Sequence, residues 1–290
     1  MNPLVSVIIP NYNYAQYVGE AVESALAQTY SNIEVIVVDD GSTDDSINVL
    51  EGFEDKINLV KQENGGVSAA RNAGVAASQG ELLAFLDADD IWHRQKVERQ
   101  VAAFLGDNSV GLVHVGVQDI DETRAEVERH LDGMEGWVAD ELLKWERPVI
   151  LGGGSGVMIT RRAFDKAGGF DTRLMTSADW DLYYRVCRLN IVAFIPEILL
   201  YYRVHGSNMH SNVGRMAREM SLFYEKAFDT EDQSVLKMKD RALGNYHRVM
   251  AGSYFYAGAY GKFASHAAKS IGHHPSNIGY FLSYPLRRLK

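Results

Sequence analysis

The segment Leu82-Leu83-Ala84-Phe85-Leu86-Asp87-Ala88-Asp89-Asp90 reads as an apolar strand that ends in three carboxylates. A hydrophobic core does not tolerate unpaired carboxylates, so a cation has to sit among them. Carboxylates at the carboxyl end of a strand in an α/β sheet stand where such sheets bind ligands, and hard divalent cations choose oxygen donors and substrate phosphates. Helix capping is the competing account, because Asp89 and Asp90 precede a helix-like run over 93–105 that an acidic first turn would stabilise. Capping accounts for one carboxylate rather than three.

Outward from this strand, the first half of the chain alternates strand and helix signals. Residues 4–9 are an apolar run ended by Pro10, and 14–28 place Tyr17, Val18, Ala21, Val22, Ala25 and Leu26 at helical spacing. Residues 33–38 are a second buried strand, with Asp39-Asp40-Gly41-Ser42-Thr43-Asp44 turning into a helix that runs to Leu50. Residues 57–61 read as a strand, 67–78 as a helix and 82–86 as the fourth strand. This order predicts an α/β fold with a mostly parallel sheet flanked by helices. Asn11-Tyr12-Asn13, Asp39-Asp40 and the acidic run from Asp87 each follow the carboxyl end of a strand, so they converge on one crevice.

After a strand over 110–117 the pattern weakens through 118–147, which is charged, carries Trp137 and Trp145, and reads as an inserted loop with short helices. Gly152-Gly153-Gly154-Ser155-Gly156 then leads into a strand over 157–160, a helix over 161–167 and the turn Gly168-Gly169-Phe170-Asp171. A helix over 179–189 and short strands at 191–195 and 199–204 follow. Beyond Asn208 the signals are helical, and Gly258 is placed to turn the chain between two antiparallel helices within 242–268. The predicted division is a domain over 1–208 and a C-terminal helical extension over 209–290.

A chain of 290 residues with 46% hydrophobic residues buries a full core. Cys187 is the one cysteine, which excludes disulfides within the chain and thiolate zinc sites and points to a reducing compartment. Residues 1–10 lack the basic segment of a secretory signal and no run approaches a membrane span, so a cytoplasmic location is expected. The net charge of −9 is uneven: from Lys237 onward stand nine Lys/Arg and one acidic residue, Asp240. An acidic body argues against a nucleic-acid-binding surface. The basic, aromatic-bearing end Tyr284-Pro285-Leu286-Arg287-Arg288-Leu289-Lys290 reads either as a peripheral contact to anionic lipid at the inner face of the membrane or as a solvated helical tail.

Seven motifs, in order and spacing, make the chain resemble the inverting, family 2 type of glycosyltransferase with the GT-A fold. They are Val5-Ser6-Val7-Ile8-Ile9-Pro10-Asn11-Tyr12-Asn13, Val37-Val38-Asp39-Asp40-Gly41-Ser42-Thr43-Asp44, Asn64-Gly65-Gly66-Val67-Ser68-Ala69-Ala70-Arg71-Asn72-Ala73-Gly74 and Phe85-Leu86-Asp87-Ala88-Asp89-Asp90. Gly168-Gly169-Phe170-Asp171, Ala178-Asp179-Trp180-Asp181-Leu182 and Tyr202-Arg203-Val204-His205 complete the set, which covers residues 4–208. The resemblance implies transfer of a sugar from a nucleotide-diphosphate sugar, UDP-linked, to the hydroxyl of a glycan or lipid-linked glycan acceptor. Inversion at the anomeric carbon, Mn²⁺ or Mg²⁺ as cofactor, and a place in cell-surface polysaccharide or glycan assembly come with it.

Residue by residue, the resemblance puts Pro10, Tyr12, Asp39, Asp40, Arg71, Asp87 and Ala88 at the nucleotide. Tyr12 offers an aromatic plane for a base and Asp40, or Asp39, an acceptor for its ring N–H. The competing readings are a core aromatic for Tyr12 and an N-cap for one of the aspartates. Arg71, a cation among alanines, calls for a nearby anion: a nucleotide-site carboxylate, the nucleotide, or a structural Asp. Alternation sets Asp87 and Asp89 on one side of an extended segment, with Asp89 on the metal, Asp87 beside the ribose or the metal's waters, and Asp90 at the following helix. His205 reaches the metal or diphosphate, or is structural.

The base that matches the family is Asp179, with Asp181 orienting Trp180 or capping the turn; Ala178 stands where many relatives have Glu. Gly153, Gly154 and Trp180 fall where acceptors approach, although the glycine segment also reads as a plain turn before its strand. That segment lacks the Lys of a phosphate-binding P-loop. Two rivals remain: a sugar nucleotidyltransferase, which would want a Gly-rich basic loop where Asn11-Tyr12-Asn13-Tyr14-Ala15 stands, and a non-catalytic sugar-nucleotide or glycan-binding subunit, which has no need of Asp179.

Overall fold

A computed structural model describes residues 2–206 and 212–282, so the basic end segment singled out above lies outside the described residues. The chain divides into two units, Met1–Ala139 with Pro148–Asn208, and Asp140–Arg147 with Met209–Lys290. In chain order the first unit runs β1 (Val5–Asn11), α1 (Ala15–Leu26), β2 (Ile33–Asp39), α2 (Ser46–Glu51), β3 (Asn58–Lys61), α3 (Val67–Ala76), β4 (Leu82–Phe85), β5 (Ile91–Trp92), α4 (Lys96–Gly106), β6 (Val110–Ile120) and β7 (Glu126–His130). After α5 (Ala139–Lys144), which leads into the second unit, it resumes with β8 (Met158–Thr160), α6 (Arg161–Ala167), α7 (Ala178–Cys187) and β9 (Ile191–Arg203).

The sheet order is β3-β2-β1-β4-β8-β6-β9-β5, with β7 on β6. Its first half is parallel throughout, β3 to β2, β2 to β1 and β1 to β4. Every residue of β1 and β4 is buried, as a strand covered by helices on both faces requires. Parallel pairing aligns the carboxyl ends: Asn11 is the register partner of Asp39, and Phe85 of Ile8, which delivers the polar clusters that follow to one edge. The second half is mixed: β8 runs antiparallel to β4 and β6, β5 antiparallel to β9, and β6 parallel to β9.

Three expectations need correction. The helix over 93–105 begins only at Lys96, because Ile91–Trp92 is first taken up as an edge strand on β9. The stretch 118–147 is not all loop: β6 runs on to Ile120 and β7 returns along it as a hairpin. The two short strands at 191–195 and 199–204 are one strand, β9. Its pairing with β6 slips at Val115↔Ile195 and Gly116↔Ile198, around Pro196, which has no N–H to donate. Gly116 makes that slip sterically possible, since a Cβ there would lie 2.7 Å from the Glu197 carbonyl oxygen.

The second unit is helical: α8 (Val213–Phe228), α9 (Gln233–Leu236), α10 (Lys239–Tyr256), α11 (Tyr260–His273) and α12 (Ile278–Leu282). Gly258, at φ +72°, turns the chain between α10 and α11. Their contacts run antiparallel: Ser270 Oγ donates to the Gly244 carbonyl at 2.7 Å, and His247 meets His266 at 3.1 Å nearer the turn. Tyr246 Oη donates to the Ala217 carbonyl at 2.7 Å, docking α10 on α8. The segment Asp140–Arg147 belongs here through its backbone: Tyr224 Oη donates to the Leu143 carbonyl and Asn245 Nδ2 to the Lys144 carbonyl, at 3.1 and 3.0 Å.

Candidate active site

The centre of the site is Arg71, on α3 and 1% exposed. Nη1 donates to Asp179 Oδ1 at 2.7 Å and Nη2 to Asp87 Oδ1 at 2.6 Å, while the guanidinium lies 5.2 Å from the centre of the Phe170 ring. Burial works against the charge, but Asp179 and Asp87 outweigh it and hold the guanidinium more firmly protonated than usual. Of the three partners foreseen for this cation, two carboxylates are present at once. Asp179, near the N-terminus of α7, has a side chain 25% exposed. Burial pushes its pKa up, Arg71 pulls it down and Asp87 pushes it up again, the net shift being upward.

The acidic run divides its labour. The Asp89 side chain is 12% exposed and its Oδ2 lies 3.0 Å from His205 Nε2. Burial first, then Asp87, raises the Asp89 pKa, against the pull of His205. The His205 ring is packed edge-on to Tyr14 and stacked on Tyr17, with centres 5.9 and 5.3 Å away. Asp90 does not cap a helix: Oδ1 accepts the Arg203 N–H at 2.9 Å and Oδ2 accepts the Ser155 hydroxyl, tying the run to β9 and to the glycine segment. Full burial, then Asp89 and Asp87, raise its pKa well above the carboxylate range.

The glycine segment is shaped by this cluster. Ser155 Oγ accepts the Asp87 N–H at 2.9 Å, and Tyr183 Oη donates to the Gly153 carbonyl at 2.7 Å. A Cβ on Gly154 would come within 2.3 Å of Arg71 Nη2, whereas one on Gly153 would stand 3.9 Å from Asp179 Oδ2. Trp180 is half-buried on α7, and Ala178 is fully buried. Asp181 pairs with Arg185 at 2.6 Å, one helical turn on.

At the first strand ends, Tyr12 is 44% exposed and so no core aromatic. Asp39 accepts from Asn11 Nδ2 at 2.9 Å and the Ser42 N–H at 3.0 Å. Asp40 accepts from Gln62 Nε2 and from the N–H groups of Gly65 and Gly66, at 2.6, 2.9 and 2.8 Å, which fixes the loop leading into α3. Neither aspartate caps α2, whose N-cap position is Asp45; Asp44, one residue earlier, accepts the Ser46 N–H at 3.0 Å. Pro10, within β1, and Ala88, in the turn after β4, are both buried, so what they present is backbone.

Two contributors leave no signal of their role in the sequence. Ser155 stands hidden among glycines. Arg203 stands in a motif, yet its Nε bonds the Asp89 carbonyl at 2.9 Å, and no side-chain pattern announces a bond to backbone. Ligand atoms of Asp119, Glu128 and His130 also lie within 4.8 Å of one another. They lie where β6 and β7 pair, Val117 opposite His130 and Gln118 opposite Arg129, next to the register shift between Gln118 and Ile120.

Residues 6–168 match the family model described as glycosyl transferase family 2. The chain is 35% identical over 242 residues to an uncharacterized glycosyltransferase of Nostoc sp., a match covering 80% of this chain and 74% of that one. It spans 40% and 65% of the length of two further curated relatives, from Rickettsia felis and Rickettsia prowazekii. Among solved structures, a mannosyltransferase of Pyrobaculum calidifontis in complex with GDP-Man and Mn²⁺ superposes with a TM-score of 0.65 at 22% identity, covering 100% of this chain and 83% of that one. TarS 1-349 of S. aureus in complex with UDP-GlcNAc superposes with a TM-score of 0.64 at 17% identity, over 91% and 90% of the two chains.

Proposed function

Because the chain belongs to glycosyl transferase family 2 and has the GT-A fold of the transferases it superposes on, we propose that it moves a hexosyl group from UDP to a glycan hydroxyl with inversion. The observation that carries this reading is the Arg71 bridge, which sets Asp179 and Asp87 on one buried guanidinium. Such a bridge brings the base and the donor-holding motif within one side chain's width of each other, as a single-displacement reaction requires.

In this reading the nucleotide lies across the carboxyl ends of β1, β2 and β4. Tyr12 offers its exposed ring to the base. Asp40 already accepts three hydrogen bonds and, with about four acceptor sites on a carboxylate, keeps one for a ring N–H. Asp87 faces the ribose and diphosphate, and Arg71 adds positive charge where the leaving group gathers its negative charge. Asp179 takes the proton from the acceptor hydroxyl as that oxygen attacks the anomeric carbon from the face opposite the diphosphate. The new glycosidic bond forms as the bond from sugar to β-phosphate breaks, and the configuration inverts. An upward-shifted carboxylate is the better proton acceptor of its kind.

A divalent cation suits the donor set, since Asp89 is a nearly buried carboxylate beside a neutral-capable imidazole. Asp89 and His205 would hold Mn²⁺ or Mg²⁺, which when bound supplies further charge against the diphosphate. Gly153, Gly154 and Trp180 would border the acceptor, a glycan end or a lipid-linked glycan in cell-surface polysaccharide assembly. The unit carrying this chemistry is Met1–Ala139 with Pro148–Asn208, acting from the cytoplasm.

The test is in two parts. Nucleotide sugars are screened for release of free nucleotide with and without Mn²⁺, with UDP-sugars expected to respond and chelator to abolish the response. Asp179→Asn is expected to keep UDP binding by calorimetry and lose transfer by roughly a thousandfold or more. Transfer surviving in Asp179→Asn removes that residue as base, and unchanged UDP affinity in Asp89→Ala with Mn²⁺ removes the metal assignment.

A further inference from the structure

We propose that the α10–α11–α12 end of the second unit docks on an anionic phospholipid bilayer. Apolar side chains are presented to water there: Tyr256 and Leu282 are 73% exposed, Ile278 52% and Tyr260 51%. Not one residue of α12 is buried. A row of ring contacts joins the Gly258 turn to α12, with centres 5.8 Å apart for Phe255–Tyr260, 5.3 Å for Phe255–Phe263, 6.3 Å for Phe263–Phe281 and 5.4 Å for Tyr280–Phe281. A contiguous apolar patch of this kind on a water-facing surface marks an interaction site.

The charge says what kind. From Arg241 to Lys290 the sequence holds seven Lys/Arg and no Asp or Glu, in a chain whose net charge is −9. The cations are interleaved with the rings: Arg248 lies 5.3 Å from the Tyr280 ring centre, Lys262 stands 5.1 Å from that of Tyr254, and Lys269 is exposed on α11. The sequence beyond Leu282 repeats the mixture, with Tyr284, Leu286 and Leu289 among Arg287, Arg288 and Lys290. Aromatic rings that lodge at headgroup depth beside cations that reach the phosphates are the requirements of a helix lying in a bilayer interface. A soluble polyanion would use the charges and leave the rings idle. No described helix is long and apolar enough to cross a membrane, so the contact is with the surface.

The experiment is flotation of the full chain with phosphatidylcholine vesicles and with vesicles containing about a third phosphatidylglycerol, at about 0.1 M and about 0.5 M salt. Binding is expected on the anionic vesicles only, weakening with salt. Lys262→Glu with Lys269→Glu is expected to weaken it by roughly tenfold or more, and Tyr256→Ser with Ile278→Ser and Leu282→Ser by a similar factor. Leu282→Ser alone, at the last described residue, gives a smaller loss and serves if the triple variant misfolds by circular dichroism. UDP titration stays as in the parent chain in each variant. The proposal is overturned by absent binding, by equal binding to neutral vesicles, or by apolar variants that bind as the parent does. The last outcome together with capture on heparin would make this a polyanion site, and self-association without vesicle binding would make it an interface between copies.

Discussion

Gly154 shows how little freedom a single position has in this site. An alanine methyl there would press to 2.3 Å from Arg71 Nη2 and 3.1 Å from Asp87 Oδ2. A surface arginine would swing away, but this one is 1% exposed and gripped by two carboxylates. Gly154→Ala is therefore expected to cost about 1–3 kcal/mol of stability and to weaken UDP binding by roughly tenfold or more, read by denaturant unfolding and calorimetry. Gly272→Ala, with open space around it on α11, is the control and should be neutral or slightly stabilising. UDP affinity unchanged in Gly154→Ala would show that the guanidinium can move without consequence. At this scale the sequence was legible where side chains meet side chains: an acidic run and an isolated arginine each demanded an opposite charge, and they met. It was opaque where the partner is backbone, as for Asp90 with the Arg203 N–H and Asp40 with the Gly65 and Gly66 N–H groups.

Among the elements, β6 carries a pH-sensitive support of the glycine segment. His114 Nδ1 accepts the Leu151 N–H at 3.1 Å, so the proton sits on Nε2, which donates to the Met134 carbonyl at 2.8 Å. Burial, partly offset by the Met134 carbonyl, pushes its pKa down to about 4. In the unfolded chain the imidazole titrates near ~6.5 and takes up its proton first. The contribution of His114 to stability is thus complete above pH ~6.5 and is lost as pH falls towards ~4, by up to about 3 kcal/mol. Asp89, Asp90 and Asp179, whose pKa values are raised, run the other way, so the informative quantity is a difference. Unfolding free energies of the parent and His114→Gln, measured from pH 7 to pH 4, should converge as pH falls; parallel curves would remove His114 from this role. The parallel half of the sheet was legible from its apolar runs, each ended by a polar cluster. β5 and β7 were harder: two residues whose partner β9 lies far along the chain, and an exposed charged strand, leave no periodicity to read.

For the molecule as a whole, the order of residues and the order of packing part company at Asp140–Arg147. The motifs end near 208, which invites a cut there, but this segment is held by Tyr224, Asn245 and Arg241, the last 2.8 Å from Glu146. A chain ending at residue 208 is expected to expose Leu142 and Leu143, fully buried in the whole protein, and to aggregate on size-exclusion chromatography. A monodisperse, cooperatively melting 1–208 chain would contradict this. The same disregard for sequence distance has a thermodynamic corollary at Arg71, which joins Asp87 to Asp179 although the latter stands 108 residues away from it. Neutralising either carboxylate hands the whole guanidinium to the other. The two are therefore energetically coupled without touching, and a double-mutant cycle of Asp87→Asn and Asp179→Asn should leave a non-zero interaction energy. Whatever loss is measured at one of them belongs in part to its counterpart, so the pair has to be titrated, substituted and interpreted as one electrostatic unit.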